Sequence, residues 1–550
     1  MKKTIFLTGG TGNMGWAGFQ ELYKRKDRFT IRLLARDSKK NRKMLKPYLA
    51  DPAVTIIWGD MMRYEDVLEG VKGADYVLHV GGMVSPAADY YPEKTLKVNI
   101  GSAENIVKAV LEQPNASEIK VVYIGSVAQY GDRNPPYHWG CASEPQVPAK
   151  FDMYALSKIR AEQIFASAGL KYLVSLRQSG ILYPGILSVV NPTAFHVPMG
   201  GVLEWATIED SGRLLAQVCE DWVPEEFWNK AYNISSGEQY RMTNYEFMTR
   251  MLGALGLPSP EKVFEPQWFA LKNFHGMWYK DGDILEDYLH FRANTSVNEY
   301  FATMKSKLPW FYNLAVLVPA WAVKMFMKPF AFEKGMGTQW WVKNDPEKFE
   351  AYYGSREAYD AIRTWDDVRP APLDKSLKQL YGQMTIRILD ILEETMADGP
   401  GLRTSIYCAG CAHHCPGCHN PQSWDFTGGR EVSVQELLDI VKADEFANVT
   451  FSGGDPLYQV EAFTELARRI KEETGKNIWC YTGFTYEEIL GDERLSMILP
   501  YIDTLVDGPY VASLRDPELH FRGSSNQRII HLHGSEEESI PGTVPVTPYK

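Results

Sequence analysis

The sequence has few cysteines, no excess of positive charge and no apolar run long enough to cross a membrane. Its net charge of -11 lacks the basic excess that a phosphate backbone requires, so no nucleic-acid binding is expected. It contains seven cysteines, four of which lie together between Cys408 and Cys418. This distribution does not resemble a disulfide framework, and in a reducing compartment such a cluster indicates metal or redox chemistry.

Membrane and export signals are also scarce. The amino terminus reaches Gly9 before any apolar run of signal-peptide length, so we interpret it as a first strand and expect a cytoplasmic protein. One apolar stretch, Trp310–Val323, is shorter than the ~18 residues that suggest a span, and it contains Pro319. We therefore expect a buried helix there and no membrane span, with contact at a membrane surface as the alternative.

The length of 550 residues predicts at least two domains, because single cores stop growing at roughly 250 to 300 residues. Apolar residues make up 45% of the chain and charged residues 23%, which is globular composition. Over the first 300 or so positions, β-branched runs such as TIFLTG, VTIIWGD and KVVYIGS alternate with helical stretches. This alternation predicts an α/β fold with a Rossmann-type, doubly wound parallel sheet. A largely helical, aromatic-rich cap should follow at 257–365.

A change in composition separates two blocks. Residues 369–383 contain two prolines and mixed charge, as a linker would, and MTIRILDI at Met384 begins a new strand. We therefore predict a first domain at 1–368, a linker at 369–383 and a second domain at 384–550.

A dinucleotide site is predicted at the start of the first block. Gly9, Gly12 and Gly15 follow the first strand and open a helix, so the backbone can approach a pyrophosphate at the helix amino terminus. The second strand ends with Arg36 and Asp37. A carboxylate there binds a ribose 2′-hydroxyl and an arginine accommodates a 2′-phosphate, so NAD and NADP both stay open. Arg36, followed by basic residues, favours NADP.

A candidate catalytic group follows in YALSK. Tyr154 and Lys158 stand one helical turn apart, and an ammonium beside a phenol lowers the phenol's pKa. Ser126, at the end of KVVYIGS, adds a hydroxyl. Together with Gly9, Gly12, Gly15, Asp60 and Asn99, these residues form a pattern that resembles the extended short-chain dehydrogenase/reductase family. That family includes NAD-dependent epimerases and dehydratases.

The resemblance covers roughly residues 1–300 and implies hydride exchange between a nicotinamide and a small-molecule substrate. It implies that Tyr154 moves the proton, that Lys158 also holds the nicotinamide ribose, and that Ser126 orients the substrate. It implies cofactor contacts by Gly9, Gly12, Gly15, Arg36, Asp60 and Asn99. A domain that binds the dinucleotide without turnover is the alternative.

The cysteine cluster CAGCAHHCPGCHN has three interpretations. A zinc ribbon would leave ~15 to 20 residues between its two CxxC pairs, whereas here only three residues separate them. Two-cluster ferredoxins need a second cysteine set and a proline after the last cysteine, and both are missing from the sequence. The third interpretation is CxxxCxxC, in which Cys411, Cys415 and Cys418 hold three irons of a 4Fe-4S cluster and leave the fourth iron open.

This spacing resembles the radical S-adenosylmethionine enzymes. Together with DGPGLR, TFSGGDPL, WCYTGFT, VDGPY and FRGSSNQR, it resembles those that activate anaerobic ribonucleoside-triphosphate reductase, over 384–550. The resemblance implies a small partial (β/α) barrel in which S-adenosylmethionine is cleaved to a 5′-deoxyadenosyl radical that installs a glycyl radical on the reductase. Flavodoxin or ferredoxin is the expected electron donor. An electron-transfer or structural metal site is the alternative.

Several residues around the cluster have expected roles. The resemblance places the methionine end of S-adenosylmethionine at Ser452, Gly453 and Gly454, with Asp455 accepting from its ammonium. Gly417 stands where many such enzymes carry an aromatic residue over the adenine, and His419 is a candidate for that role. Buried core positions are expected for Cys408 and Cys480. His413 and His414 are expected to be exposed polar residues.

Overall fold

The computed structural model describes residues 2–377 and 384–532, so positions 378–383 of the predicted linker lie outside the described residues. The chain divides into two compact units, Met1–Leu373 and Asp374–Lys550. Each unit has its own sheet and its own apolar core.

The first unit is built on the predicted parallel sheet. The runs TIFLTG, VTIIWGD and KVVYIGS all form strands of a seven-stranded sheet, and every neighbouring pair is parallel. In spatial order the strands are Lys230–Ile234, Tyr172–Gln178, Lys120–Ser126, Tyr76–His79, Lys3–Thr8, Phe29–Ala35 and Val54–Trp58. The Rossmann-type, doubly wound order is thereby confirmed.

Helices cover both faces of this sheet, which explains why its strands are apolar on both sides. Along the first strand, Ile5 and Leu7 belong to one buried cluster and Phe6 to another. Two covering helices approach closely at glycines: a Cβ on Gly18 would lie 2.4 Å from Leu215. The helices of the sheet-containing part of the unit are Asn13–Lys24, Lys39–Leu45, Tyr64–Val71, Ala87–Tyr90, Pro92–Leu111, Met153–Ser167 and Ile208–Gln217.

The remainder of the first unit has its own apolar clusters, and over the predicted 257–365 it is the expected largely helical cap. Its α-helices are Asn244–Leu255, Pro260–Val263, Ile284–Leu289, Val297–Ser306, Ala320–Ala331, Thr338–Asn344, Pro346–Tyr353 and Arg356–Ala361. Three two-stranded pairs complete the unit: Ile181–Leu182 with Ala206–Thr207, Val202–Glu204 with Arg241–Thr243, and Trp139–Gly140 with Trp278–Tyr279.

One expectation for the cap is wrong in part. The apolar stretch at 310–323 is not one buried helix but a 3₁₀ helix, Trp310–Leu317, followed by the start of Ala320–Ala331. Every residue of Trp310–Leu317 is at least partly exposed. Pro319 interrupts the helical hydrogen bonding between the two stretches, because proline has no amide hydrogen to donate.

The second unit contains an open seven-stranded sheet. Four central strands are parallel and the outer strands run antiparallel to their neighbours. In spatial order the strands are Arg430–Ser433, Thr385–Thr395, Arg403–Cys408, Asn448–Gly453, Ile478–Tyr481, Thr504–Asp507 and Arg528–His531. The helices are Val434–Ala443, Val460–Thr474, Tyr486–Leu490 and Glu493–Ser496. This is the expected partial (β/α) arrangement.

Candidate functional sites

The glycine-rich turn of the first unit requires glycine at two of its three positions. Gly9 has a φ of +71°, and a Cβ there would lie 2.6 Å from the amide nitrogen of Gly81. A Cβ on Gly15 would lie 2.2 Å from the carbonyl oxygen of Gly9. Gly12 donates its amide to that same oxygen over 2.9 Å and precedes the first residue of the helix Asn13–Lys24.

The amino terminus of this helix suits an anion. Gly12 stands at the N-cap position, where no side chain caps the described helix, and the first turn contains no acidic residue. The first-turn amides therefore keep hydrogen-bonding capacity for a ligand, and the helix dipole favours negative charge. These residues fit the pyrophosphate of a dinucleotide.

Arg36 and Asp37 follow the second strand, Phe29–Ala35, and differ in how they are paired. Both carboxylate oxygens of Asp37 accept from the Arg42 guanidinium, at 2.5 and 2.7 Å, and this hydrogen bonding lowers the pKa of Asp37. The Arg42 guanidinium also lies 4.8 Å from the ring centroid of Trp58. Arg36 is exposed, and its carbonyl accepts from Asn41. The arginine is thus available to a ligand, whereas the carboxylate is already paired.

Asp60 and Asn99 both form hydrogen bonds within the protein. An Asp60 carboxylate oxygen accepts from the Met62 amide over 2.9 Å. Asn99 is buried, accepts from the Met83 amide over 2.7 Å, and donates to the Met83 carbonyl and to Ser157. Both residues hold loops at the carboxyl edge of the sheet. Direct cofactor contact by either side chain stays a prediction.

Ser126 and Tyr154 are joined by a hydrogen bond, and Lys158 follows Tyr154 by one turn of the helix Met153–Ser167, but the electrostatics differ from the expectation. Burial raises the pKa of Tyr154 to about 12, and a hydrogen bond with Ser126 opposes that rise. Burial lowers the pKa of Lys158 to about 8, and its ammonium donates to the Ile124 carbonyl over 2.8 Å. The expected lowering of the phenol pKa by Lys158 is therefore wrong for this structure, in which burial dominates.

In the second unit, the three cysteines of the CxxxCxxC spacing lie on one loop after the strand Arg403–Cys408. Cys411, Cys415 and Cys418 are free thiols of intermediate exposure. Burial, reinforced by the neighbouring Cys415 and Cys418, raises the pKa of Cys411 to about 11. The Asn420 amide donates to the Cys418 sulfur over 3.4 Å. Across residues 2–377 and 384–532, however, no cluster of three Cys, His, Asp or Glu side chains has converged to metal-binding geometry.

The other cysteines of this unit cannot serve as ligands without rearrangement. Cys408 is 0% exposed, and its residue pairs with Ile388 on one side and Gly453 on the other. Cys480 is equally buried. The loop therefore presents three thiols, the number that a 4Fe-4S cluster with one open iron requires, and the residues present fit that group.

The glycines of SGGDP allow the loop after Asn448–Gly453 to lie against the cysteine loop. Gly453 has a φ of +97°, and a Cβ there would lie 2.6 Å from the Cys408 amide nitrogen. The Gly454 amide donates to the Cys408 carbonyl over 2.7 Å, and the Asp455 amide donates to the Gly410 carbonyl over 3.0 Å. Ser452, on the preceding strand, is half-buried. Close contact between the two loops thus accounts for both glycines.

Asp455 connects three loops. It is 1% exposed; one carboxylate oxygen accepts from the Leu457 amide over 3.0 Å. The other oxygen accepts from the Thr482 hydroxyl at 3.0 Å and the Gly483 amide at 2.9 Å, and lies 2.9 Å from His413 Nε2. With both oxygens used by protein groups, the geometry favours a positioning role. The expected contact with the ammonium of S-adenosylmethionine stays a prediction.

His413 is a residue whose role the sequence did not indicate. Besides contacting Asp455, its ring lies 4.6 Å from that of Phe484, edge to face, and a Cβ on Gly483 would collide with it at 2.4 Å. The expected exposed polar residue is therefore a packed part of the loop. His419 lies 5.6 Å from the ring of Tyr510, which brings a second aromatic side chain near Gly417.

Arg403 fixes the loop that precedes the cysteines. It is 0% exposed and donates to Thr450 Oγ1 and to the Val449 carbonyl, both at 2.6 Å, and to the Pro400 carbonyl at 3.1 Å. Its guanidinium also lies 5.5 Å from the ring centroid of Trp479. The last residue of DGPGLR is therefore buried and hydrogen-bonded to the strand Asn448–Gly453 and to the loop before the strand Arg403–Cys408.

Two family models match the chain. Residues 5–181 match the NAD dependent epimerase/dehydratase family, and residues 397–530 match the 4Fe-4S single cluster domain. Solved structures similar to the first unit include a dTDP-glucose 4,6-dehydratase of Streptomyces venezuelae, with a TM-score of 0.44 and 19% identity over 56% of this chain and 97% of that one. A UDP-glucose 4-epimerase of Thermus thermophilus has a TM-score of 0.42 and 17% identity over 55% of this chain and 98% of that one.

The relatives of the second unit are more similar in sequence. The anaerobic ribonucleoside-triphosphate reductase-activating protein of Vibrio cholerae is 38% identical over 145 residues, which are 25% of this chain and 91% of the relative. The Escherichia coli K12 protein of the same name is 36% identical over 25% of this chain and 93% of its own length. That of bacteriophage T4 is 36% identical over 24% of this chain and 85% of its own length.

Proposed function

Because the chain belongs, through its second unit, to the family of anaerobic ribonucleoside-triphosphate reductase-activating proteins, we propose that this unit installs a glycyl radical on that reductase. Cys411, Cys415 and Cys418 would hold a 4Fe-4S cluster. When bound, the cluster supplies one electron that cleaves S-adenosylmethionine to methionine and a 5′-deoxyadenosyl radical. The observation that carries the proposal is the set of three accessible thiols on one loop, with Cys408 buried behind them.

The chain's own residues shape the site. Asp455 and His413 hold the cysteine loop against the SGGDP turn, and the glycines of that turn leave no side chain between the two loops. His419 and Tyr510 offer flat faces beside the third cysteine, where an adenine could stack. Flavodoxin or ferredoxin is the proposed electron donor, and a reducing cytoplasm the proposed location.

The test is anaerobic iron and sulfide quantitation with electron paramagnetic resonance of the reduced protein, with and without S-adenosylmethionine. We expect a four-iron signal that changes when S-adenosylmethionine is added, and release of 5′-deoxyadenosine with dithionite. Cys411→Ala should lose both, whereas Cys408→Ala is the matched control that keeps them. A cluster that is indifferent to S-adenosylmethionine, with no 5′-deoxyadenosine, would identify an electron-transfer or structural site instead.

For the first unit we propose an NADP-dependent reductase or epimerase acting on a small molecule. Arg36 would bind the 2′-phosphate, since Asp37 is already paired with Arg42. Tyr154 would transfer the proton, with Ser126 orienting the substrate oxygen and Lys158 contacting the nicotinamide ribose. A bound nicotinamide supplies the hydride acceptor or donor.

Fluorescence titration with NADPH and NADH tests the cofactor assignment before any substrate is known. Arg36→Ala should weaken NADPH binding about tenfold or more and leave NADH binding unchanged, because a charge-assisted contact is lost. Arg160→Ala, an exposed arginine on the helix Met153–Ser167, is the control. Equal affinity of the parent chain for both cofactors would refute the NADP preference. Tyr154→Phe should keep NADPH binding but abolish turnover of any active substrate.

A further inference from the structure

The apolar pair of helical stretches in the cap of the first unit has two apolar faces. The helix Ala320–Ala331 turns Val323, Met327 and Ala331 inward, into a buried cluster. On the outward face of the same helix, Trp321 and Met325 are 65% and 67% exposed. Residues at this spacing share a helix face, so the outward face is an unpartnered apolar stripe within the described unit.

The preceding 3₁₀ helix, Trp310–Leu317, also exposes large apolar side chains. Trp310, Val316 and Leu317 are 74%, 64% and 75% exposed, and Phe311 and Leu314 are each about half exposed. Soluble surfaces carry single exposed apolar side chains, whereas several large ones within one short segment of the chain favour an interaction site. We call the exposed side chains of Trp310–Leu317, with Trp321, Met325 and Phe326, the apolar patch.

Within the segment that carries the apolar patch, every charged residue is a lysine. From Tyr300 to Phe332 the chain has four lysines and no acidic residue, although the whole chain has a net charge of -11. Lys307 and Lys324 form ion pairs with Glu209 and Glu265. Lys328 is exposed and lies on the same helix face as Trp321 and Met325. Lysines bordering exposed tryptophan and leucine are the pattern of a segment that lies in the interface of an anionic bilayer.

The helices of this segment do not form a single span of a lipid bilayer. Within residues 2–377 and 384–532, no single helix is long and apolar enough to cross a bilayer. Trp310–Leu317 and Ala320–Ala331 meet the criteria only together, and they bend by 111° at the break between them. The inward face of the second helix is also committed to the protein core. A segment lying along the surface uses the exposed face and keeps the buried one in place.

We propose that the apolar patch docks the first unit on an anionic lipid bilayer, with the tryptophans in the headgroup region and Lys328 among the phosphates. This proposal is independent of the chemistry assigned to either unit.

The experiment is flotation of the full-length protein with vesicles of phosphatidylcholine, with and without phosphatidylglycerol. Flotation separates bound protein from aggregates, which stay at the bottom of the gradient. We expect binding to the anionic vesicles, weaker binding to the neutral ones, and partial release by salt. The double variants Trp310→Ser with Leu317→Ser, and Trp321→Ser with Met325→Ser, should each bind about tenfold more weakly or worse, because large apolar side chains leave the bilayer.

The control variant is Phe446→Ser, which removes an 85% exposed apolar side chain from a loop of the second unit and should bind as the parent does. Unchanged circular dichroism and NADPH binding would show that the variants are folded. Parent protein that stays unbound, or variants that bind equally, would overturn the proposal. It would also be overturned if the parent were a dimer in solution that ignores vesicles and the variants were monomers, since the apolar patch would then join two copies.

Discussion

Replacing Asp455 with asparagine decides whether this residue holds loops or binds a ligand. Four protein donors converge on the carboxylate: the Leu457 amide on one oxygen, and the Thr482 hydroxyl, the Gly483 amide and the His413 ring on the other. Asparagine keeps the shape but has one oxygen. It can serve either the Leu457 side or the Gly483 side, so at least one buried donor loses its acceptor.

The expected cost follows from that geometry. One buried donor without an acceptor costs about 1–3 kcal/mol, and replacing charge-assisted bonds by neutral ones costs about 1 kcal/mol more. The sum of about 2–4 kcal/mol corresponds to a roughly 30- to 700-fold larger population of the locally open state, at 1.4 kcal/mol for each factor of ten. Because the residue is 1% exposed, water replaces the lost acceptor poorly.

Hydrogen–deuterium exchange read by mass spectrometry measures this opening directly. Peptides that contain the amides of Leu457 and Gly483 should exchange faster in Asp455→Asn by the stated factor. Asp444→Asn is the matched control: that carboxylate also accepts from two amides, those of Phe446 and Ala447, but is half-buried, so the change should be small. Unchanged exchange combined with weaker S-adenosylmethionine binding would refute the positioning role and restore the ligand role.

Three further predictions concern the first unit. Burial lowers the pKa of Lys158 to about 8, so between pH 8 and the ~10.4 of a free lysine the unfolded chain binds more protons at this group, and the contribution of Lys158 to stability should rise with pH, by up to about 3 kcal/mol. The urea midpoint of the parent chain should therefore rise relative to that of Lys158→Met across this window, in which the buried thiols and phenols titrate alike in both proteins. Arg42→Ala frees the Asp37 carboxylate, so fluorescence titration should show NADH binding strengthened relative to NADPH. Gly15→Ala should abolish dinucleotide binding, because its Cβ would lie 2.2 Å from a loop carbonyl, whereas Gly253→Ala, with nothing within 4 Å, should be tolerated and raise the melting temperature slightly.

The fold of the first unit was predictable because its signals are local. Strand runs such as KVVYIGS are apolar on both faces and have the β-branched composition of a parallel sheet, and the glycine turn needs only the strand before it and the helix after it. The cysteine spacing is equally local. The buried state of Cys408 also followed from residue type, since a cysteine within a strand is usually core.

The remainder depends on distant residues. The pKa of Tyr154 is governed by burial, and the spacing to Lys158 carries no information about how much protein covers the phenol. The exposure of Trp310–Leu317 could not be seen in its composition, because an apolar run is equally compatible with a core helix and with a surface that awaits a partner. The contact between His413 and Asp455 joins positions 42 residues apart, and neither residue type predicts it.

Asn99 and Asp455 show the same ambiguity in both units. Each matches a position that binds a ligand in the resembled family, and each has its polar atoms engaged by backbone groups of a loop at the carboxyl edge of a parallel sheet. Short polar side chains at such an edge can either face a ligand or hold the loops that do, because both tasks need the same donors and acceptors at the same place. Spacing cannot separate the two, whereas the number of protein partners can. A side chain that already satisfies its hydrogen bonds loses as much as it gains by turning to a ligand, so we expect both residues to act on binding through the loops they hold.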